Sequence, residues 1–192
     1  MRSIVIVALV GVVAACGGRV QNEGPSASRA TLRGMPRWYK KPPAADKEHM
    51  FQAATATSQD VQVAINRAQA EGRNGLASQL EVKYASLTRR FIEETGVAAD
   101  AQLLDEYQQT YKAVVSQVLV GSHARDQQFQ IDGRVYRAWV LMELPLGEAN
   151  RKLVEQIKAS ERLYTRIRAT EAFKELNAEV EQFEAAKVGR RP

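Results

Sequence analysis

Along most of the chain, apolar residues recur three and four positions apart. Two stretches break that rhythm by alternating. Residues 50–57 (MFQAATAT) alternate weakly and use small side chains, which predicts a short strand that a helix can approach closely. Ser58 or Asp60 is placed to cap a helix after it. From there Val61, Ile65, Ala68, Gly72, Leu76, Leu80, Tyr84, Leu87 and Phe91 form one stripe of a long helix, which Gly96 stops at the C′ position. Gly72 and Gly75 fall on that face, where a missing side chain admits the sheet; no strand leads directly into them, so they are not a phosphate-binding turn. Asp100 caps a second helix striped with Leu103, Leu104, Tyr107, Tyr111, Val114, Val115 and Val118.

The second alternating stretch is a hairpin. Residues 121–131 and 134–144 flank Asp132-Gly133, a strong two-residue turn signal. Taken as the two central residues, this pair predicts Phe129 opposite Tyr136, Gln127 opposite Ala138, Arg125 opposite Val140 and His123 opposite Met142. One face of the second hairpin strand is apolar (Tyr136, Ala138, Val140, Met142, Leu144), while the matching face of the first is mostly polar. The second strand is therefore expected to be central, with the first hairpin strand at one edge and residues 50–57 at the other. From Leu146-Gly147-Glu148 a last helix is predicted to run towards Lys187. It carries one seam at Leu153, Ile157, Tyr164 and Ile167, and another, offset by two residues, at Phe173, Leu176, Val180 and Phe183.

The predicted fold class is α+β: a three-stranded antiparallel sheet in the order β-α-α-β-β-α, packed by long helices and ending in an extended C-terminal helix. At 1.5 Å per residue the first and last helices would span about 54 and 60 Å, against about 36 Å for an eleven-residue strand. Apolar surface on such an overhang needs cover. Self-association into a homo-oligomer is expected, the alternative being a last helix that breaks and folds back.

The first residues obey another logic. Arg2 is a weak positive start, and the ten mostly apolar residues 4–13 are too few for a transmembrane helix, which needs about 20, but suit a signal-peptide core. They end in Val13-Ala14-Ala15-Cys16, and Cys16 is the only cysteine in the chain. The run resembles the lipobox of bacterial lipoproteins, which implies cleavage after residue 15 and lipid attachment at Cys16. Gly17 stands where an inner-membrane retention signal would carry aspartate, so the expected location is the outer membrane, periplasm-facing. The implied organisation is a signal peptide over 1–15, an acylated cysteine and flexible tether over 16–34, an α+β domain over 35–146, and a C-terminal helix with a basic tail over 147–192. The alternative is a simple secreted protein with an incidental cysteine.

Charge adds little. The 27 basic and 22 acidic residues leave +5, concentrated near residues 29–41 and in Arg190-Arg191. In an exported protein that excess favours anionic headgroups or cell-wall polymers over nucleic acid, the alternative being a solvated linker. The segment MPRWYKKPP over 35–43 is aromatic and proline-rich, which predicts extended chain outside any helix. Trp38 and Tyr39 there are either binding aromatics, membrane-interface anchors, or a plug for one end of the domain.

The segment Pro36-Arg37-Trp38-Tyr39 with Pro42-Pro43, the Ala64/Ala68/Gly72 stripe and the hairpin residues Tyr136-Arg137-Ala138-Trp139-Val140 together resemble the lipoprotein-20-like family of small bacterial outer-membrane lipoproteins, related to flagellar basal-structure lipoproteins. The resemblance covers about residues 35–150. It departs from the pattern at residues 54–58, which lack a glycine, and does not account for the terminal helix. It implies envelope architecture more than chemistry. The residues point the same way: His49 and His123 are the only histidines, no cluster has metal-ligand spacing, and no nucleophile or phosphate-binding motif is present. Glu93-Glu94 and Asp105-Glu106 are adjacent on helices and read as solvated, and Asp126 is a diagonal partner for Arg137. No metal, cofactor or catalytic set is predicted. The expected role is structural or in assembly, with an outer-membrane or flagellar complex as its specific form; the alternative is a binding module for a cell-wall polymer or small ligand.

Overall fold

A computed structural model describes residues 31–96 and 100–189. The elements are α1 (Arg37–Lys40), β1 (His49–Ser58), α2 (Val61–Thr95), α3 (Ala101–Leu119), β2 (His123–Asp132), β3 (Val135–Pro145), α4 (Leu146–Ala159), α5 (Glu161–Ile167) and α6 (Glu171–Gly189). The sheet is antiparallel in the order β1-β3-β2, so the hairpin's second strand is central, as its apolar face requires. The fold is α+β, with α2 as its long helix and α6 at the C-terminal end.

The local signals act where the residues put them. Asp60 accepts from the Val63 N–H at 2.9 Å, and Asp100 from the Leu103 N–H at 2.9 Å. Each thereby satisfies a donor that the first helical turn leaves unpaired. Gly96, at φ +66°, ends α2, its N–H donating to the Ile92 carbonyl. On the buried stripe of α2, Gly72 lies directly against Met142, where an added Cβ would also come within 3.6 Å of Ala54. A side chain at that position would push α2 off the sheet.

The hairpin differs from expectation by a shift of two. The central turn residues are Gly133 (φ +65°) and Arg134, with Asp132 paired to Val135 inside the ladder. A turn centred on Gly133-Arg134 puts positive φ on glycine alone. It also leaves Asp132 buried, where it binds Arg137 at 2.6 Å. Phe129 therefore faces Ala138, and Gln127 faces Val140. An even shift preserves the alternation, so the predicted faces hold although the predicted partners do not. A bulge between Ala124 and Asp126 then slips the ladder by one, placing His123 opposite Glu143 rather than Met142. Arg137 pairs with Asp132 and not with Asp126.

The single C-terminal helix is also corrected. It is three helices, broken at Ser160 and again at residues 168–170. Ser160 takes an extended conformation; its hydroxyl accepts from the Leu163 N–H and donates to Glu106 at 2.6 Å. Thr170 accepts from the Phe173 N–H, while Glu94 receives the N–H groups of Glu171 and Ala172. Glu94 and Glu106 thus do more than face solvent: they fix where the chain turns. The chain folds back, and α6 packs on α4 and on α2. The overhang of α2 is consequently covered from within. Tyr84 and Phe91 are buried, with ring centroids 6.2 Å from Tyr111 and 5.2 Å from Tyr107. The physical reason given for self-association, bare apolar surface on an overhang, does not hold. Leu153, Ile157, Leu163, Phe173 and Leu176 join the core that holds Val140 and Met142.

Gly72→Ala tests the close approach. Helix propensity alone would favour alanine by about 1 kcal/mol, but overpacking against Met142 costs about 1–3 kcal/mol. The urea midpoint should fall with the m-value unchanged; a rise would refute the contact.

Candidate functional site

Strand β3 is buried on both faces. Ala138, Val140, Met142 and Leu144 meet the helices, while Trp139 and Leu141, each 1% exposed, point the other way. That second face is crossed by the chain that precedes β1. Residues 31–34 are helical, and Thr31 donates to Asp132 at 3.2 Å. The Gly34 carbonyl accepts from Gln128 at 3.1 Å, and Gly34 sits directly on the Gln130 side chain. Pro36 is buried, and α1 rests against β3 and β1. The result is a strap over the sheet. Thr31, the first of the described residues, is already docked, and it lies inside the stretch expected from sequence to be tether.

Trp38 and Tyr39 sit on this strap. Each is half-buried, and their rings meet edge to face at 6.3 Å. They belong to one helical turn, not to extended chain. Pro36 supplies the carbonyl that accepts from the N–H groups of Tyr39 and Lys40, and a proline is tolerated at a helix start because it lacks only a donor that would go unpaired. The turn ends before Pro42, which restricts the residue ahead of it. Arg37, Lys40 and Lys41 beside the rings are exposed. Cys16 lies outside the described residues.

At the far end of the strap face, His49 stands between two carboxylates. Its Nδ1 is 3.6 Å from Asp46 and its Nε2 3.4 Å from Glu143. Glu143 also faces Arg125 at 3.5 Å, and the Arg125 guanidinium lies over the Phe51 ring, 5.1 Å from its centroid. Asp46 is exposed; the slight desolvation there raises its pKa, but the N–H groups of Glu48 and His49, each donating at 2.7 Å, outweigh it and hold the carboxyl below its ordinary value. Both imidazole nitrogens are turned to carboxylates, so the group links the loop before β1 to β3. His123, the other histidine, is exposed; the sequence attached no role to His49, and the signal for its place was Asp46, three residues ahead of it.

A second polar cluster lies in the helix layer. The Tyr84 hydroxyl reaches Asn150 at 3.5 Å, and Asn150 donates to Glu179 at 3.1 Å. Burial, with Glu179 nearby, raises the Tyr84 phenol far above its ordinary value, so it stays protonated and serves as a donor. Tyr107 is buried, and its hydroxyl has no hydrogen-bond partner among the described residues. Among the described residues, no group of three or more His, Cys, Asp or Glu is placed to hold a metal ion, and no helix is long and apolar enough to cross a membrane. No protein family matches the chain, and neither a curated protein nor a solved structure matches it.

Asp132 is the strap's main polar tie. In Asp132→Ala, Thr31 and Arg137 lose a buried acceptor, a loss of about 1–3 kcal/mol. Hydrogen exchange should quicken first at residues 37–41, before the core of α2. Exchange that quickens equally across strap and core would show that the strap is not a separate unit.

Proposed function

We propose that this chain is a lipid-anchored envelope protein with a structural or assembly role, acylated at Cys16 and held at the outer membrane on its periplasmic side. Membership of the lipoprotein-20-like family, and a place in an outer-membrane or flagellar complex, belong to the same proposal. Its support is the lipobox at residues 13–16 together with the place of Thr31 in the fold. Thr31 docks on Asp132 at the hairpin tip, fifteen residues after Cys16. Such a linker in a coil regime reaches roughly 20 Å, so an anchor at Cys16 would hold the tip close to the headgroups. The surface near the tip suits that position. Leu32 and Ile131 are 58% and 73% exposed, and Arg33 and Arg134 are exposed beside them. Apolar side chains next to cations complement the boundary of an anionic membrane.

The second reading is a binding module for a cell-wall polymer or small ligand. The half-exposed rings of Trp38 and Tyr39 beside exposed Arg37, Lys40 and Lys41 favour it.

In cells expressing the full chain, the wild type should partition with membranes and incorporate a palmitate label, whereas Cys16→Ala should do neither. An unlabelled wild type would refute the anchor. In the same strains, Trp38→Ala combined with Tyr39→Ala separates the second reading: loss of pull-down on purified wall material supports it, and no pull-down by the wild type removes it.

A further inference from the structure

The two edges of the sheet are treated differently. Edge strand β2 carries a bulge and the charges of Arg125, Asp126 and Asp132, the devices that keep a sheet edge from pairing. Strand β1 (HMFQAATATS) has ten residues in unbroken register with β3, and it contains no proline, glycine, lysine or acidic residue. Its free edge opens on a groove of about 730 Å³ lined by residues 52–57 with Arg67, Ala70 and Glu71 of α2.

Backbone direction along β1 can be read from its partners. The carbonyls of Phe51, Ala53 and Thr57 accept from the side chains of Gln79, Gln52 and Arg67, so these alternate residues face the free edge and not β3. Thr55 belongs to the same set. Among the described residues, no side chain caps its N–H or its carbonyl.

We propose that this edge pairs with the same edge of a second copy, Thr55 against Thr55, to make a continuous six-stranded sheet about a two-fold axis. Two observations select a copy of this chain over a foreign strand. The first is spacing. Helix α2 rests on both β1 and β3, so joining two β1 strands about 4.8 Å apart sets the two α2 helices about 10 Å apart. That is the upper end of ordinary helix packing, and the small Ala70 faces the groove. The second is charge. Arg67 lies beside Thr57, its Nη1 3.5 Å from that carbonyl, while Gly72 stands over Ala54. Glu71 is therefore level with residues 54 and 55. A two-fold axis through Thr55 brings each Arg67 within reach of the partner's Glu71, and the reciprocal pair forms at the same time. Glu71 has no partner among the described residues. The inference deepens the assembly role proposed above by giving it a surface, and the test runs without the lipid anchor.

The full chain carrying Cys16→Ala and Thr55→Cys has one thiol. A short bis-maleimide should link it into a species of twice the chain mass at micromolar concentration, and Gln127→Cys on the opposite edge should stay unlinked. Adding Arg67→Glu, or Glu71→Arg, should cut the yield several-fold, and the two together should restore it. Both residues are exposed, so neither change threatens the fold. A Thr55→Cys chain that does not link to itself, links only to other proteins, or links as well with Arg67→Glu as without it overturns the proposal.

Discussion

A central strand buried on both faces is the constraint that orders this molecule. Between residues 138 and 144, β3 sends Ala138, Val140, Met142 and Leu144 one way and Trp139 and Leu141 the other, and all are buried. Two layers must therefore close on one sheet. The helices supply the first through close contact at Gly72. The strap supplies the second through buried Pro36 and the ties from Thr31 to Asp132 and from Gly34 to Gln128.

The two layers are not equally strong. The helical side joins residues from α2 to α6 in one core. The strap is tied by a few polar contacts, each worth about 0.5–1.5 kcal/mol net. What it covers is large, because truncating a buried tryptophan costs about 3–5 kcal/mol, much of a total stability of about 5–15 kcal/mol. The strap is the part most ready to open locally. It is also the part of the fold nearest in sequence to Cys16. Under the proposed anchoring, any pull on the tether would reach the sheet through Thr31 and Asp132 before it reached the helices.

Much of this architecture was legible in the residues. Periodicity marked both long helices, Asp60, Asp100 and Gly96 marked their ends, and the apolar face of 136–144 set the strand order. What sequence missed depends on contacts far apart in the chain. The hairpin register turned on Asp132, whose carboxylate binds Thr31 and Arg137 and so stays in the ladder. The breaks in the C-terminal helix turned on Ser160 meeting Glu106 and on Glu94 capping α6; the two-residue offset between seams was their only trace. The strap was hidden for the same reason: nothing local in residues 31–40 shows that Trp139 lies beneath. Of the candidate site residues, Trp38 and Tyr39 were found by composition, whereas the cluster at His49 required Glu143 from another strand.

The chain has two tryptophans, Trp38 on the strap and Trp139 under it. With Trp38→Phe, the remaining fluorescence reports on the covered face alone. A doubly covered sheet predicts blue-shifted emission from Trp139 and strong protection from acrylamide quenching in the native protein. Red-shifted emission, quenched as readily as free tryptophan, would contradict it.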